Sequence, residues 1–583
     1  SFPIFYLQYT LWGLVFTDVY LRVFCWGGVI LCIAFLLSKE SRIISWETVL
    51  ISTLLISTSF VIARVFANGS AYPFNLYWSD GNRIWDYSVL FGRRLYNYPI
   101  DQTIDAYISP GRQILWGLPF LFPKTSILFN RFWSALVLSL PYMIFGWLIF
   151  KRAGAFGREW IALGLWTFLF LNQGPIYTQL IISAIFVAWA WKRPVWLGIP
   201  LLLISAFYAQ ASRLTWIFAP AMWIGMLEFA DISMQPSWRP LKKWTRTFIL
   251  VFAGLLGGVF IPTIVESIRN NNLEIPAVGV SNSLNQPLLW FRLLPNETYS
   301  LGILLALLIA IGPLLFILSH KKTSLALIQK VGIWIAMLAF LFVGLVASTK
   351  IGGGNNLHNL DMFLVGVVFL TAIILKQDKR ISPVMQRNDT LPTNLVLMLL
   401  LILPAYPSVR TMRPNLSLST SQINMVKVLS DTDIVESLPS TEEVNDSLWY
   451  INRAIKEYSE KNGEILFIDV RQLLTFQYVP NVPLVPEYEK KRMMDEAMSS
   501  NASYFAPYYQ DLANQRFSLI ISEPLKTPEQ EIGSFSEEGD AWTKWVAAPT
   551  LCFYEPLETL KPVYVQLLVP RTEPRDCSEY FSQ

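Results

Sequence analysis

Four aspartates and four arginines lie in one polar loop between long apolar stretches of the sequence. Residues 78–113 read WSDGNRIWDYSVLFGRRLYNYPIDQTIDAYISPGRQ and contain Asp80, Asp86, Arg83 and Arg112. A carboxylate can take a proton from an acceptor hydroxyl, and guanidinium groups can hold a phosphate. The loop therefore has residue types suited to group transfer on a phosphorylated substrate.

Apolar residues in the same loop recur at helical spacing. They are Ile84, Tyr87, Leu90, Phe91 and Leu95. This spacing predicts an amphipathic helix that lies flat on a membrane with its aromatic side down. Arg93 and Arg94 would then face water or lipid phosphates. Asp80 comes just before the helix, as an N-cap residue would, and the alternative is that it caps the helix and does nothing more.

A second group of candidate residues follows a later apolar stretch. Residues 349–361 read TKIGGGNNLHNLD and bring Lys350, His358 and Asp361 close to three glycines. Ionisable groups at membrane depth are costly and tend to be functional, and glycine lets the backbone approach a ligand closely. The alternative is a solvated hairpin.

Arginines within or beside apolar stretches are further candidates. Arg213, in YAQASRLTW, interrupts an otherwise continuous apolar run, although it could simply mark a turn between two spans. Arg131 is a weaker candidate.

The candidate residues combine a carboxylate with several cations at a lipid boundary. This combination could bind and react with a sugar that is carried on a polyprenyl phosphate. The cations would hold the leaving phosphate, and the carboxylate would deprotonate the acceptor.

Composition places these residues in a membrane protein. Of the 583 residues, 53% are hydrophobic and 15% are charged, and the mean hydropathy is +0.41. A soluble chain carries about 25% charged residues. We expect an α-helical polytopic membrane protein with about 11–13 transmembrane helices of about 20 residues. The predicted spans are 22–38, 47–67, 127–150, 159–172, 177–191, 195–210, 214–230, 247–265, 299–318, 328–347, 360–375 and 392–407, with 3–21 either a further span or an interfacial helix.

Lysine and arginine predict the orientation of these spans, because cytoplasmic loops are enriched in both residues. Basic segments occur at 38–42, 151–158, 191–194, 239–246, 320–322 and 376–380. All of them can be cytoplasmic at once in a bacterial inner or plasma membrane. Loop 69–126 and the tail from residue 408 would then be extracytoplasmic.

The tail, residues 408–583, differs in composition from the rest of the chain. It carries 16 Lys and Arg against 26 Asp and Glu, and this acidic balance excludes nucleic acid as a partner. GEILFIDV (463–470) and RFSLIISEP (516–524) predict buried strands, whereas LLTFQYV and EKKRMMDEAMSS (489–500) predict helices. We expect a soluble α/β domain beside the transmembrane domain 1–407. Cys552 and Cys577 could form a disulfide in an oxidising compartment.

The chain resembles the GT-C superfamily of integral membrane glycosyltransferases. The resemblance rests on Asp80 after an early span, the amphipathic NRIWDYSVLFGRRLYN, the Tyr/Pro segment that follows, the many spans and the outer α/β tail. It implies a polyprenyl-phosphate-linked sugar donor, inverting transfer to a glycan, lipid or protein acceptor, and Asp80 as general base with Asp86 as second choice. A divalent cation, Mg²⁺ or Mn²⁺, would assist, and Lys350, Asn356 and His358 would bind the donor.

The chain departs from the family pattern at two points. Asp80 is followed by Gly81 rather than by a second acidic residue, and the absence of a WWD-type motif argues against the oligosaccharyltransferase branch. Two other functions stay open: a non-catalytic structural subunit whose outer domain binds protein partners, and a transporter or ligase of lipid-linked glycans. The sequence has no P-loop, GxSxG or HExxH motif, and its two histidines give no metal-ligand pattern.

Overall fold

The computed structural model describes residues 2–38, 43–174, 176–232, 240–264, 285–297, 299–321, 323–350, 357–377, 391–412, 414–430, 438–461, 463–526, 535–573 and 575–581. The chain divides into two compact units. Unit 1 comprises 1–67, 135–275 and 288–414, and unit 2 comprises 68–134, 276–287 and 415–583. The first polar loop thus belongs to the same unit as the C-terminal tail, rather than to the helices that flank it in sequence.

The first half of the chain forms thirteen helices among the described residues. They are α1 Phe2–Tyr9, α2 Trp12–Val15, α3 Val19–Leu37, α4 Trp46–Ala67, α5 Asp80–Ser88, α6 Pro110–Trp116, α7 Ile127–Val137, α8 Leu140–Ala153, α9 Gly157–Leu171, α10 Thr178–Ala190, α11 Val195–Ser212, α12 Ala219–Asp231 and α13 Pro240–Leu255.

Helices and four strands follow in the second half. They are α14 Gly302–Ser319, α15 Leu327–Ser348, α16 Asp361–Gln377, α17 Leu391–Ile402, α18 Tyr406–Thr411, α19 Thr420–Ser430, α20 Thr441–Ser459, β1 Glu464–Phe467, α21 Gln472–Thr475, α22 Lys490–Met498, α23 Ala502–Ala513, β2 Phe517–Ser522, α24 Ser536–Trp542, α25 Ala548–Phe553, β3 Tyr554–Leu560 and β4 Val565–Pro570.

Apolar helices make the chain an integral membrane protein. In the described part of the chain, eight helical segments are long and apolar enough to cross a bilayer: Val19–Leu37, Trp46–Ala67, Ile127–Ala153, Val195–Ser212, Trp244–Ile264, Gly302–Ser319, Leu327–Ser348 and Leu357–Gln377. Four further predicted spans form helices of only 12–15 residues, namely α9, α10, α12 and α17. At about 1.5 Å per residue these are too short to cross about 30 Å of hydrocarbon straight. By this criterion eight of the predicted spans are long enough among the described residues, and the other four are shorter apolar helices.

Residues 3–21, whose role the sequence left open, form two short helices rather than a span. The next helix, α3, begins after Asp18, whose carboxylate accepts a hydrogen bond from the Leu21 amide at 2.7 Å. Arg22 is buried, and its guanidinium donates to the carbonyls of Gly13 and Val409. Of the polar residues that interrupt this apolar run, Asp18 therefore caps the start of α3, and Arg22 donates hydrogen bonds to backbone carbonyls.

Among the described residues, three of the basic segments assigned to one side of the membrane lie at one end of unit 1. Lys376, at the end of α16, forms an ion pair with Asp231 at the end of α12. Arg246 in α13 pairs with Glu228 at 2.7 Å and donates to the Arg193 carbonyl. The helices therefore alternate in direction as the charge pattern requires. Which side of the membrane this end faces stays a prediction from the positive-inside rule.

Unit 2 is built on a four-stranded mixed sheet within its described residues. The strand order is β1-β2-β4-β3, where β1 and β2 are parallel and the other neighbours are antiparallel. The sequence predicted β1, β2 and α22 correctly. It missed β3 and β4, and the helix predicted at LLTFQYV is only the four residues of α21. An α-helical membrane protein with an α/β C-terminal region is confirmed.

Both faces of the sheet are covered. Side chains alternate across a strand, so Leu466 and Ile520 pack on one face against Phe505 and Tyr508 of α23. The opposite face has its own apolar core, which includes residues from the strands, from α20 and from the first loop. The first-loop members are Tyr72, Phe74, Trp85, Tyr96 and Ile104. The first loop is thus part of the hydrophobic core of the α/β region.

This packing corrects the predicted membrane-surface helix. The helix is shorter than predicted, because α5 ends at Ser88 and a single 3₁₀ turn follows at Arg93–Leu95. Ile84 is buried against Phe120 and Ile127, so this part of its apolar face is enclosed by protein. Arg93 and Arg94 donate to loop carbonyls, including that of Phe120 at 2.7 Å, instead of pointing freely into water.

A disulfide closes the end of the chain. Cys552 and Cys577 are bonded, and their Cα atoms are 6.1 Å apart. Cys25 and Cys32 in α3 are exposed free thiols. The closed loop has a sequence separation of 25 residues, and closing it removes conformational freedom from the unfolded chain.

We expect the Cys577→Ser variant to lower the unfolding free energy of unit 2 by about 3 kcal/mol. Thermal unfolding of the full chain in nanodiscs, followed by hydrogen exchange in β3 and β4, measures this loss. The Cys25→Ser/Cys32→Ser variant is the control and should match the wild type. Equal protection in Cys577→Ser and wild type would show that the disulfide does not stabilise the unit.

Candidate functional site

Asp80 is a buried ion-pair partner at the start of α5. Ser79 precedes it in the left-handed region at φ 56°, and Asp80 is the first helical residue rather than the N-cap. Its Oδ2 lies 2.9 Å from Nη2 of Arg131, and both side chains are about 95% buried. The sequence gave no reason to connect these two residues.

Arg131 uses its other donors on the segment before α5. Nη1 donates to the carbonyls of Ser70 and Tyr72, and Nη2 donates to that of Phe74 at 2.9 Å. Asp80 therefore supplies the negative charge for a guanidinium that holds the backbone of this segment. The geometry gives Asp80 a positioning role, and its predicted role as a general base stays a prediction.

Asp86 is also buried in an ion pair. Its Oδ2 lies 2.9 Å from Nζ of Lys491 in α22, and its Oδ1 accepts a hydrogen bond from the Tyr107 amide.

Glu489 is a third carboxylate near this ion pair. It caps α22 by accepting hydrogen bonds from the amides of Lys491 and Arg492, and it accepts another from Asn82 at 2.7 Å. Burial, followed by the charge of Asp86, raises the pKa of Glu489. Burial lowers the pKa of Lys491, although Asp86 opposes this shift.

A second lysine of α22 joins two carboxylates at the ends of parallel strands. Lys490 Nζ lies 2.8 Å from Asp469, which follows β1, and 2.6 Å from Glu523, which follows β2. Burial opposes ionisation of Asp469, but the charge of Lys490 and the hydrogen bonds from Lys490, Val470 and Asn75 together lower the pKa of Asp469. Nζ is also 5.0 Å from the centre of the half-exposed Trp78 ring. The carboxyl edge of parallel strands is where α/β sheets usually bind ligands.

The two remaining first-loop candidates lie on different helices. Arg83 is exposed on α5, and its guanidinium lies 5.9 Å from the centre of the Tyr77 ring. Arg112 is half-buried on α6. Their predicted role in substrate binding stays a prediction.

Unit 1 contains a separate cluster of aromatic and charged residues at the end opposite its basic end. Arg213 directly follows α11, and its guanidinium lies 5.4 Å from the ring centre of Tyr177 and 6.0 Å from that of Trp216. One guanidinium nitrogen lies 3.3 Å from Oδ1 of Asn359, and another lies 3.8 Å from Oδ2 of Asp361. The Arg213 side chain is 28% exposed, so this cation is held in place and still reaches solvent.

Asp361 is the buried carboxylate that holds the side chains of this cluster in place. It is the first residue of α16, its Oδ1 accepts a hydrogen bond from the Met362 amide, and its Oδ2 accepts one from Trp216 Nε1 at 2.8 Å. The side chain is 1% exposed. A buried carboxylate that is already hydrogen-bonded to an indole fixes both Trp216 and the charge that faces Arg213.

The structure brings one more predicted residue to this cluster. The His358 ring packs edge-on against Tyr177 with their centres 6.1 Å apart, so His358 and Arg213 contact the same aromatic ring. Lys350 is the second residue after α15, and its amide donates a hydrogen bond to the Ala347 carbonyl. Asn356 lies outside the described residues.

The described residues do not form an evident metal centre. No group of three or more His, Cys, Asp or Glu side chains in the described part of the chain could hold a metal ion. The carboxylate of Asp80 contacts a guanidinium, which is the opposite of what a divalent cation requires. The residues around Asp80 therefore do not fit Mg²⁺ or Mn²⁺.

Several important residues were missed from sequence. Lys490 and Lys491 were interpreted only as part of a helix, and Tyr177 and Trp216 only as span residues. The local signal for the lysines is that the pair directly follows Glu489. Nothing in the sequence indicates their partners, which lie up to 405 residues away.

The fold defines the chain as a polytopic helical membrane protein with an α/β region. No family model and no curated protein matches it. Among solved structures, it is similar to the archaeal oligosaccharyltransferase AglB from Archaeoglobus fulgidus in complex with an inhibitory peptide and a dolichol-phosphate. The TM-score is 0.43 and the identity 12%, over 88% of this chain and 72% of that chain. The function of this chain must therefore be argued from its own residues.

The Asp80–Arg131 pair can be tested by removing one charge. In Asp80→Asn the guanidinium of Arg131 stays buried without its counter-charge, so we expect a loss of about 3–5 kcal/mol in unfolding free energy. Asp101→Asn, which changes an exposed aspartate of the same loop, should have no effect. Chemical denaturation of the full chain measures both. If Asp80→Asn is as stable as wild type but inactive in transfer, Asp80 is a base and not a structural residue.

The raised pKa of Asp495 in α22 predicts that the stability of unit 2 depends on pH. Burial and the neighbouring Glu496 raise its pKa to about 6, although a 2.6 Å hydrogen bond from Gln286 favours the charged form. The ionised carboxylate therefore costs stability, and unit 2 gains this stability as the pH falls through 6 towards the ordinary 3.8.

The Asp495→Asn variant isolates this contribution. We expect it to be more stable than wild type at about pH 7.5 and equally stable below about pH 4, where both side chains are neutral. Melting temperatures of the full chain in detergent across this range measure the difference. A difference that grows as the pH falls would contradict the assignment.

Proposed function

We propose that this chain is an integral membrane glycosyltransferase that moves a sugar from a polyprenyl-phosphate-linked donor to an acceptor. The observation that carries the proposal is Arg213, which lies between two aromatic rings at a polar end of the membrane helices and is still partly exposed. The residues around it suit the phosphate of a lipid whose tail stays in the membrane.

The polar contacts of Arg213 are long, which supports a role in binding an anion. Charge-assisted hydrogen bonds between a guanidinium and an oxygen are usually about 2.7–2.9 Å long. The contacts to Asn359 and Asp361 are 3.3 and 3.8 Å, which are long by that standard. A phosphate could therefore form shorter bonds to the same guanidinium without breaking strong ones. The planar rings of Tyr177 and Trp216 keep the guanidinium from rotating away.

In the proposed reaction the acceptor oxygen attacks the anomeric carbon of the sugar, and the bond from that carbon to the phosphate oxygen breaks. The lipid phosphate leaves with an additional negative charge, which Arg213 would stabilise. We propose His358, whose ring packs against the same Tyr177 ring, as a second hydrogen-bond donor to the phosphate. The acceptor proton requires a base, for which Asp80 stays the candidate that the family resemblance suggests.

A non-catalytic structural subunit is the second candidate function. The observation that favours it is that both first-loop carboxylates, Asp80 and Asp86, are buried in ion pairs. A protein that has kept the architecture and lost the chemistry would need these residues only for packing. It would not transfer sugar to any acceptor, whether or not it still binds a lipid phosphate.

Replacement of Arg213 tests the glycosyltransferase proposal. We expect Arg213→Ala to reduce transfer from a polyprenyl-phosphate sugar about ten- to a hundredfold, since a charged hydrogen bond contributes about 1.5–3 kcal/mol. Arg213→Lys should recover only part of the activity, because lysine lacks the planar pair of donors. Proteoliposomes with radiolabelled donor provide the assay.

The matched control is Arg158→Ala, which removes an exposed arginine from the opposite end of unit 1. Its activity should equal that of wild type. Binding of polyprenyl phosphate is measured in parallel by tryptophan fluorescence. Wild-type binding without transfer to any sugar acceptor would favour the structural subunit, and full activity in Arg213→Ala would remove this residue from the site.

A further inference from the structure

Unit 1 contains a cavity of about 150 Å³ that has no part in the proposed transfer reaction. Its walls come from α4, α9, α14, α16 and α17. Fifteen side chains line it, among them Glu159, Ala162, Leu163, Trp166, Leu314 and Lys321. Twelve of these fifteen side chains are hydrocarbon or indole.

The position of the cavity follows from the helices that line it. Glu159 is in the first turn of α9, Lys321 follows the end of α14, and Leu375 is near the end of α16. These helix ends lie opposite the end that carries Arg213, because Arg213 follows α11 and Asp361 begins α16. The cavity therefore lies in the half of the bundle near the basic end.

The contents of such a cavity are limited by its chemistry. An apolar cavity of about this volume stays dry in other proteins and takes up a small hydrocarbon. It is too small for a further helix, which is about 10 Å wide. In a bilayer the abundant group that fits is the hydrocarbon chain of a lipid.

Two charged residues of the lining are the basis for headgroup selection. Glu159 and Lys321 both line the cavity, so its wall contains one carboxylate and one ammonium. A headgroup with one phosphate and one primary ammonium complements both charges, with its phosphate on Lys321 and its ammonium on Glu159. An anionic headgroup would satisfy Lys321 and be repelled by Glu159.

We infer that this cavity binds part of one acyl chain of a zwitterionic phospholipid with a primary amine headgroup. The lipid comes from the leaflet at the basic end of unit 1. This site is independent of the proposed transferase activity, because it lies at the other end of the bundle from Arg213.

Photo-crosslinking tests the inference on the full chain in nanodiscs. The probe is phosphatidylethanolamine with a diazirine on one acyl chain. We expect label on peptides that contain Leu163, Trp166 or Leu314. Ala162→Trp fills the cavity and should reduce this label about tenfold or more, as loss of one buried hydrocarbon chain predicts. The control Ile161→Trp adds the same side chain at the neighbouring exposed position and should leave the label unchanged.

Headgroup selection is tested separately, so that the inference stays falsifiable if Ala162→Trp does not fold. Unlabelled phosphatidylethanolamine should compete about tenfold better than phosphatidylglycerol, and Glu159→Gln should remove this preference. Equal competition by both lipids in wild type would overturn the headgroup assignment. Label that is absent from these peptides, or that is unaffected in a folded Ala162→Trp variant, would overturn the site.

Discussion

The buried charges of unit 2 are the constraint on which its structure depends. Asp80, Asp86 and Asp469 are all inaccessible, and each faces a cation at 2.8–2.9 Å. An unpaired charge in such a place costs several kcal/mol, so each pair fixes the relative position of the elements that supply it. The Asp86–Lys491 pair joins α5 to α22, and the Asp80–Arg131 pair joins α5 to α7. The first loop therefore has one position against the α/β region.

The two units differ in where their ion pairs lie. Unit 2 pairs its charges inside a protein core, whereas unit 1 keeps its described ion pairs near the ends of the helices, where α12, α13 and α16 begin or end. A bilayer explains the difference, because charged groups are costly in hydrocarbon and much less so at its edge. Arg213 is the residue of unit 1 that indicates a binding role, because it lies at a helix end and its contact with Asp361 is long.

Sequence patterns were informative where one local property decided the structure. Continuous apolar runs located β1, β2 and most membrane helices, and lysine and arginine located the ends that meet in unit 1. β3 was missed because YEPLETL contains a proline and three acidic or polar residues, and its side chains are largely exposed. The amphipathic pattern of α5 was read correctly as a helix, but its apolar side packs on protein. Periodicity shows that a face must be buried, not what covers it.

The candidate site was predicted less completely for a related reason. His358 and Arg213 were singled out because charge is rare beside apolar runs, and both contact Tyr177. Asp80 and Asp86 were singled out for the same reason, yet their partners could not be found, because Arg131 is 51 and Lys491 is 405 residues away. The residue type indicated that a carboxylate mattered. Only the tertiary contacts show that each one is matched by a cation.

The shared core of unit 2 has a consequence for how the protein is made. Trp85 in the first loop packs in the same core as Phe467 of β1, and almost four hundred residues separate them. At about 5–20 residues per second, the ribosome needs roughly 20–80 s to synthesise the intervening chain. During that time the membrane helices between them must insert while the first loop waits with its aromatic side chains uncovered. The aromatic side chains of this loop therefore reach their final core only after the last strands have been synthesised.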